Sequence, residues 1–445
     1  MNGVREQWGS RLGFILAAAG SAVGLGNIWR FPYVTGTNGG AAFLIIYLVA
    51  IVLIGYPMMV TEVGIGRRTQ RNPVGAFKAL APDTPWWLVG ALGVLTGFVI
   101  LSYYSVVAGW SLSYIFKAIA GFTPEMAFDE VFVGHISQIG EPILWHLIFM
   151  ALCVGIIAAG VVKGIQRWVK LLMPVLAVLL VVVALRALTL PGAAEGVAFY
   201  LQPDFSEVTG TTFLDAIGQS FFTLSLGMGA MITYGSYLKK EDTVPGNGAY
   251  VVGADTAIAI IAGFAIFPAV FALGLEPGAG AGLTFITLPA VFAEIPAGSF
   301  FAFLFFVLLS IAALTSAISL MEVVVAWITD EKGMPRKTAT ILVGAISFIV
   351  GIPTVLGYSV LSDVTFLGFD LLDTYDWIAN AIMLPVGGLL TAIFAGYVWT
   401  AKKAQEDFNN PPSRIVLGNW YGVMIKLIVP IAIIIVLVFG IIDVV

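Results

Sequence analysis

Apolar runs separated by short polar or charged stretches repeat along the whole chain. A helix crossing a bilayer needs ~20 apolar residues, and about eleven segments approach that length. They lie near Leu12–Thr35, Ala41–Ile65, Trp86–Ile119, Pro142–Val162, Trp168–Leu190, Thr212–Leu238, Ala249–Leu273, Phe300–Trp327, Thr338–Pro353, Trp377–Thr400 and Tyr421–Ile442. The loops between them are asymmetric. With the N-terminus placed inside, all the basic residues except Arg30, Lys117 and Arg186 fall at or near one face, as cytoplasmic loops require. The loops Gly121–Glu141, Pro191–Gly210 and Gly274–Pro296 carry acids and no Lys or Arg. An odd number of spans then leaves Val445 on the outer side.

Composition agrees with this pattern and narrows the chemistry. With 59% apolar residues, 11% charged and a mean hydropathy of +0.99, the chain is a polytopic all-α membrane protein rather than a soluble one. The first apolar run is too long and glycine-rich for a cleaved signal peptide, so it is expected to be the first span. One cysteine, Cys153, excludes an internal disulfide, and His135 and His146 with that thiol make no metal-ligand cluster. No nucleophile–base set marks an enzyme. No nucleic-acid partner is expected, and residues 1–445 read as one membrane domain.

Two segments contradict their own helical pattern. Gly20-Ser21-Ala22-Val23-Gly24-Leu25-Gly26-Asn27-Ile28-Trp29-Arg30 puts three glycines, an amide and a cation into the first span. Glycine disfavours helix, and every backbone group it frees inside a bilayer must find a partner in protein, water or a ligand. Arg30 is too costly to face lipid and is expected to line water. The sixth segment is interrupted similarly at Ser225-Leu226-Gly227-Met228-Gly229. Close helix packing explains Gly93 and Gly97. It does not explain Asn27 and Arg30, or two interruptions five segments apart, which is the mark of an inverted-repeat transporter with a midplane site. Asp255, alone in the apolar run from Ala249 to Phe271, is a functional residue by default, the alternative being a protonated, hydrogen-bonded carboxyl.

These motifs resemble those of the neurotransmitter:sodium symporters. The resemblance is carried by Trp8, Arg11-Leu12-Gly13, Ala22-Val23-Gly24-Leu25-Gly26-Asn27, Trp29-Arg30-Phe31-Pro32 and Asn38-Gly39-Gly40. Tyr103-Tyr104, Phe221-Phe222-Thr223-Leu224-Ser225 and Leu314-Thr315-Ser316 extend it over nearly the whole chain. It implies a LeuT-type 5+5 inverted repeat: one repeat over about 11–190, a second over about 212–400, and an additional helix near 421–442. The chain is most similar to bacterial members that carry hydrophobic amino acids broadly, which implies a bacterial plasma membrane protein. A twelfth span is missing, so the oligomeric state stays open.

The resemblance also implies a site. Two sodium ions are expected, one held by Ala22, Asn27, Thr223 and Asp255, the other by Gly20, Val23, Ala312, Thr315 and Ser316. Oxygen donors suit such a hard cation. Animal members use a bound chloride near the position of Asp255, which here would supply the negative charge itself. Gly24 stands where monoamine carriers have an aspartate, which implies an α-amino acid. Its carboxylate would meet Leu25, Gly26 and Tyr104. Val23, Ile100, Phe222, Ser225, Met228, Ser316, Ser319 and Leu320 would surround its side chain. None of these is charged, so a hydrophobic side chain is favoured. An outer gate would pair Arg30 with Asp373 or, preferably, Asp376. An inner gate would pair Arg5 with Asp330, supported by Trp8, Ser236 and Tyr237, and Gly164 with Pro174 would let the fifth helix unwind. A proton-coupled carrier of the same architecture and a transport-inactive receptor are the alternatives.

Overall fold

The computed structural model describes residues 5–275 and 282–442. Every regular element among them is helical. The second to fifth spans are Ala41–Thr69, Trp87–Ala120, Gly140–Ala158 and Val161–Leu188. The seventh to eleventh are Val244–Ala272, Gly298–Lys332, Arg336–Leu356, Leu371–Val398 and Trp420–Ile442. The other two are the interrupted ones. Arg11–Ala22 and Gly26–Thr37 meet at a 51° bend, and the sixth span is split into Gly210–Thr223 and Ala230–Gly235.

Local chemistry sets the ends of these helices. Ser10 accepts from the Gly13 N–H and Asn72 from the Gly75 N–H, each satisfying a donor that the first helical turn leaves free. Thr209 and Thr212 form a reciprocal box at the start of the sixth span. Gly160, at φ +96°, makes the turn between the fourth and fifth spans that a side chain would oppose.

The third and eighth helices, 34 and 35 residues long, pack along each other and form the centre. Both exceed a bilayer-spanning length; the sequence pattern caught nearly all of the third, and missed only the polar end of the eighth beyond Trp327. Against them lies the first helix, flanked by the fifth and seventh. The most apolar window of the third span is 72% buried, whereas that of the last span is 22% buried, so the last helix lies at the periphery. Its outward residues, and others such as Leu95, Val178 and Ile349, are exposed apolar side chains that suit lipid.

Three stretches expected as loops carry helices: Phe128–Ile136, Ala193–Leu201 and Leu283–Glu294. The first packs Phe132 flat on Phe285 of the third, at 5.4 Å. Val445, and the middle of the loop placed at Gly274–Pro296, lie outside the described residues.

Candidate transport site

Each break exposes backbone that the protein then uses. Where the first span bends, Val23 is extended, and the Gly24 N–H that a continuous helix would give to Gly20 goes instead to Asn27 Oδ1, at 3.0 Å. The Leu25 N–H points to the Tyr104 hydroxyl at 3.2 Å, and Gln219 Nε2 donates to the Gly26 carbonyl at 2.9 Å. In the second break Ser225, Gly227 and Gly229 all have positive φ. The Ser225 hydroxyl donates to the Ser21 carbonyl at 2.9 Å, which ties the two breaks together.

Asp255 is fully buried beside the first break. Its carboxylate accepts from Asn27 Nδ2 at 2.8 Å and from the Thr223 hydroxyl at 3.1 and 3.2 Å. No Lys, Arg or His lies within 4 Å of it among the described residues. Neutral donors alone therefore face a buried carboxylate, an arrangement that an added cation would complete. The second oxygen cluster lies between the first and eighth helices. Ser316 Oγ is 3.0 Å from the Ser21 carbonyl, 3.3 Å from that of Val23 and 3.5 Å from that of Gly20. One hydroxyl proton cannot satisfy three carbonyls, so this set too suits a hard cation. Thr315 sits beside Gly20, and its hydroxyl donates to Ala312 at 3.0 Å, within its own helix. Of the first expected ion set Asn27, Thr223 and Asp255 are thus in contact, and of the second Gly20, Val23 and Ser316, with Thr315 beside Gly20. No cluster of three His, Cys, Asp or Glu side chains exists among the described residues.

Against the Ser316 cluster, and walled by Gly26 and Phe222 next in sequence to Asn27 and Thr223, is a cavity of about 30 Å³. Ala22, Gly24, Gly26, Ile100, Tyr104, Phe222, Ser225, Met228, Ser316 and Leu320 line it, together with Ser21, which the sequence reading missed. Ser319 stands behind the wall and accepts from the Ser21 hydroxyl at 2.7 Å. Val23, Leu25 and Thr223 are buried behind the lining as well. The space holds about two waters, so a larger solute enters only if side chains such as Phe222 or Met228 move.

Phe222 also lines a second, larger cavity of about 350 Å³, with Arg30, Asp373 and Asp376 on its walls. The expected ion pair across it is not formed. Arg30 donates to Gln219 Oε1 at 3.1 Å and lies over the Phe222 ring at 5.0 Å, with no acid within 4 Å among the described residues. Asp376 is engaged by Asn380 Nδ2 at 2.6 Å. The open cavity holds the charges apart.

The opposite end is closed. Arg5 forms an ion pair with Asp330, donates twice to Ser236 Oγ at 2.7 and 3.0 Å, and lies over the Tyr237 ring at 4.7 Å. Trp8 Nε1 donates to the Tyr234 carbonyl at 2.9 Å. Beneath them Tyr237 donates to buried Glu322 at 2.5 Å, and Arg336 reaches the same carboxylate at 2.5 and 3.0 Å. Glu322 and Arg336 were not anticipated, nor was Glu62, whose carboxylate accepts from the Gly227 N–H in the second break at 2.7 Å. Each acid is isolated in an apolar run, the signal that singled out Asp255. Gly164 lies in a wide helical turn over Val161–Gln166, and Pro174 lies inside the continuous helix that follows, so this segment is wound here. His135, in a loop helix, is pushed down to about 4, first by burial and then by Lys117.

If the Arg5–Asp330 contact holds this end shut, Arg5→Ala and Asp330→Ala each shift the population toward the state open there. A cysteine introduced near Tyr237, with Cys153 replaced, is expected to react faster with a thiol reagent in either variant. The double variant should add little, since the pair is already broken. Unchanged rates, or simple addition of the two effects, would mark these as independent surface charges.

The sequence profile of the sodium:neurotransmitter symporter family matches residues 5–134 and 126–445. The chain belongs to that family. An uncharacterized sodium-dependent transporter of Bacillus subtilis, YhdH, is 42% identical over 97% of this chain and 96% of its own length. One from Haemophilus influenzae is 38% identical over 98% of each. The solved structure of MhsT in complex with L-phenylalanine superposes with a TM-score of 0.91 at 50% identity, covering 98% of this chain and all of that one. The chain is therefore a multi-pass, sodium-dependent transporter with the LeuT-type fold, its first and sixth helices broken at the candidate site.

Proposed function

We propose that this transporter imports hydrophobic L-amino acids together with two sodium ions by alternating access, with Asp255 supplying the negative charge that chloride brings to other members. The observation that carries this reading is the fully buried Asn27–Asp255–Thr223 cluster beside a small, uncharged cavity with Tyr104 at its edge. The substrate carboxylate would lie against the Leu25 and Gly26 N–H groups and the Tyr104 hydroxyl, sharing one sodium with Asn27. The side chain would extend toward Ile100, Phe222, Met228 and Leu320. A charged side chain there would be buried without a partner. The L-phenylalanine held by MhsT is of this class.

In this reading the two repeats, about 11–190 and 212–400, rock around the site. The Arg5 end faces the cytoplasm of a bacterial plasma membrane, and the Arg30 vestibule faces outward. The outer gate would close when Phe222 and Arg30 move toward Asp373 and Asp376. Pro174 frees a backbone carbonyl one turn back, so unwinding near Gly164 would wet a route for sodium release.

Counterflow of labelled amino acids in proteoliposomes tests the proposal. Uptake of Leu, Phe and Trp is expected to require sodium, and uptake of Lys and Glu to stay at background. Because sodium and carboxylate share a ligand set, each should tighten the other by the same factor. Equal substrate affinity in sodium and in potassium would refute the coupling.

A further inference from the structure

At the end of the bundle that holds the Arg5–Asp330 pair, away from the transport site, the short helix Ala401–Phe408 and the start of the last span enclose an open cavity of about 450 Å³. Lys402 and Lys426 both line it. Neither has an acid within 4 Å among the described residues. Lys426 lies 5.7 Å from the centre of the Tyr397 ring, a contact that orients the ammonium without neutralising it. Glu406 is the only acid in the lining. The cavity therefore carries two cations against one anion, and Asn419 adds an amide at its edge.

The wall of this cavity is fixed. Gln405 and Asn409 both donate to the Leu417 carbonyl, at 2.8 and 3.0 Å, and Asn409 accepts from the Leu417 N–H at 2.8 Å. Phe408 is buried against Trp399 and Tyr421. Running past Lys426, Val423, Leu427 and Ile431 recur every fourth residue and so form one stripe along the last helix, each about half exposed. Trp420 and Tyr397 flank its start, as aromatic side chains do at a membrane–water boundary. A polar, net-positive recess thus lies next to an exposed apolar stripe, whose Val423 and Leu427 adjoin the lining residues Gly422 and Lys426.

We infer that this recess binds an anionic glycerophospholipid, its phosphate between Lys402 and Lys426 and an acyl chain along Val423, Leu427 and Ile431. With two ammonium groups against one carboxylate the recess keeps a net positive charge, and basic pockets at membrane-embedded helices recognise anionic headgroups. Binding would join the short helix to the least buried span. A soluble phosphate would satisfy the lysines and leave the stripe unused.

Native mass spectrometry of the full transporter, released from bilayers of equal phosphatidylglycerol and phosphatidylcholine, tests this. The expected result is a retained phosphatidylglycerol that millimolar glycerol phosphate does not displace. Retention should fall about fivefold for Lys402→Gln or Lys426→Gln, the effect of one basic residue at an anionic surface, and on the order of 20-fold for both. Lys402→Arg with Lys426→Arg should restore it. Lys332→Gln with Lys337→Gln, exposed at the same end, should leave it unchanged, and sodium-dependent substrate binding reports that each variant is folded. Equal retention of phosphatidylcholine, equal loss in the Lys332/Lys337 variant, displacement by glycerol phosphate, or full retention in the Lys402/Lys426 double Gln variant would each overturn the assignment.

Discussion

Asp255→Asn is expected to weaken sodium binding at least about 100-fold and to leave sodium-driven uptake near background in chloride-free medium. Removing one partner from a buried charged set costs on the order of 3–5 kcal/mol, and Asp255 is the only formal charge in its cluster. Asparagine keeps the shape and one acceptor for Thr223, so the loss would reflect charge more than packing. Because the variant lacks a fixed anion, added chloride should restore part of the affinity, while the parent protein should respond to sodium alike in chloride and in gluconate. Sodium titrations of labelled-substrate binding in the two anions decide it. A parent protein that needs chloride would show that Asp255 is not its substitute.

Gly24→Ala should weaken substrate binding by about 5- to 150-fold, the range expected from ~1–3 kcal/mol of overpacking. A β-carbon at Gly24 would collide with Ser316 Oγ and lie 2.9 Å from the Tyr104 hydroxyl. It would therefore fill the corner assigned to the substrate carboxylate and push on the oxygen cluster of Ser316 as well. Equilibrium binding at saturating sodium measures the first effect, and the sodium dependence of thermal stability measures the second. Wild-type affinity in Gly24→Ala would place the carboxylate elsewhere. Gly26→Ala is a useful comparison, since its β-carbon would meet only the Phe222 ring closely, at 2.9 Å. That ring is free to swing into the larger cavity, so the loss should be smaller.

The spans and both breaks were legible because each rests on local chemistry: apolar length, glycine, and one amide or acid out of place. Asp255 stood out for the same reason. Glu62 and Glu322 gave that signal too, but their meaning depends on Gly227, Tyr237 and Arg336, which are far away in the chain. Ser21 offered no signal, since its role comes from a carbonyl that Ser225 and Ser316 reach from two other helices. The Arg30 pair is not formed here, since charge complementarity gives the partners available and not the width of the space between them. The loop helices were missed where short, polar-flanked segments are held by tertiary contacts such as Phe132 on Phe285.

The closed end is built unequally on its two sides. Asp330 accepts from the Asn72 backbone N–H at 3.1 Å and from the Asn72 side chain at 3.2 Å, in addition to Arg5. Asn72 also reaches Glu331, and Glu331 holds Lys78 at 2.8 Å. When Arg5 departs, Asp330 keeps two of its three donors and the second span stays fastened to the eighth. Arg5, by contrast, gives up an ion pair, two bonds to Ser236 and its place over Tyr237 together. If this contact gates the transporter, its catch would belong to the frame and its bolt would be the N-terminal segment, so opening would depend on what the bolt finds outside rather than on any loosening of the frame.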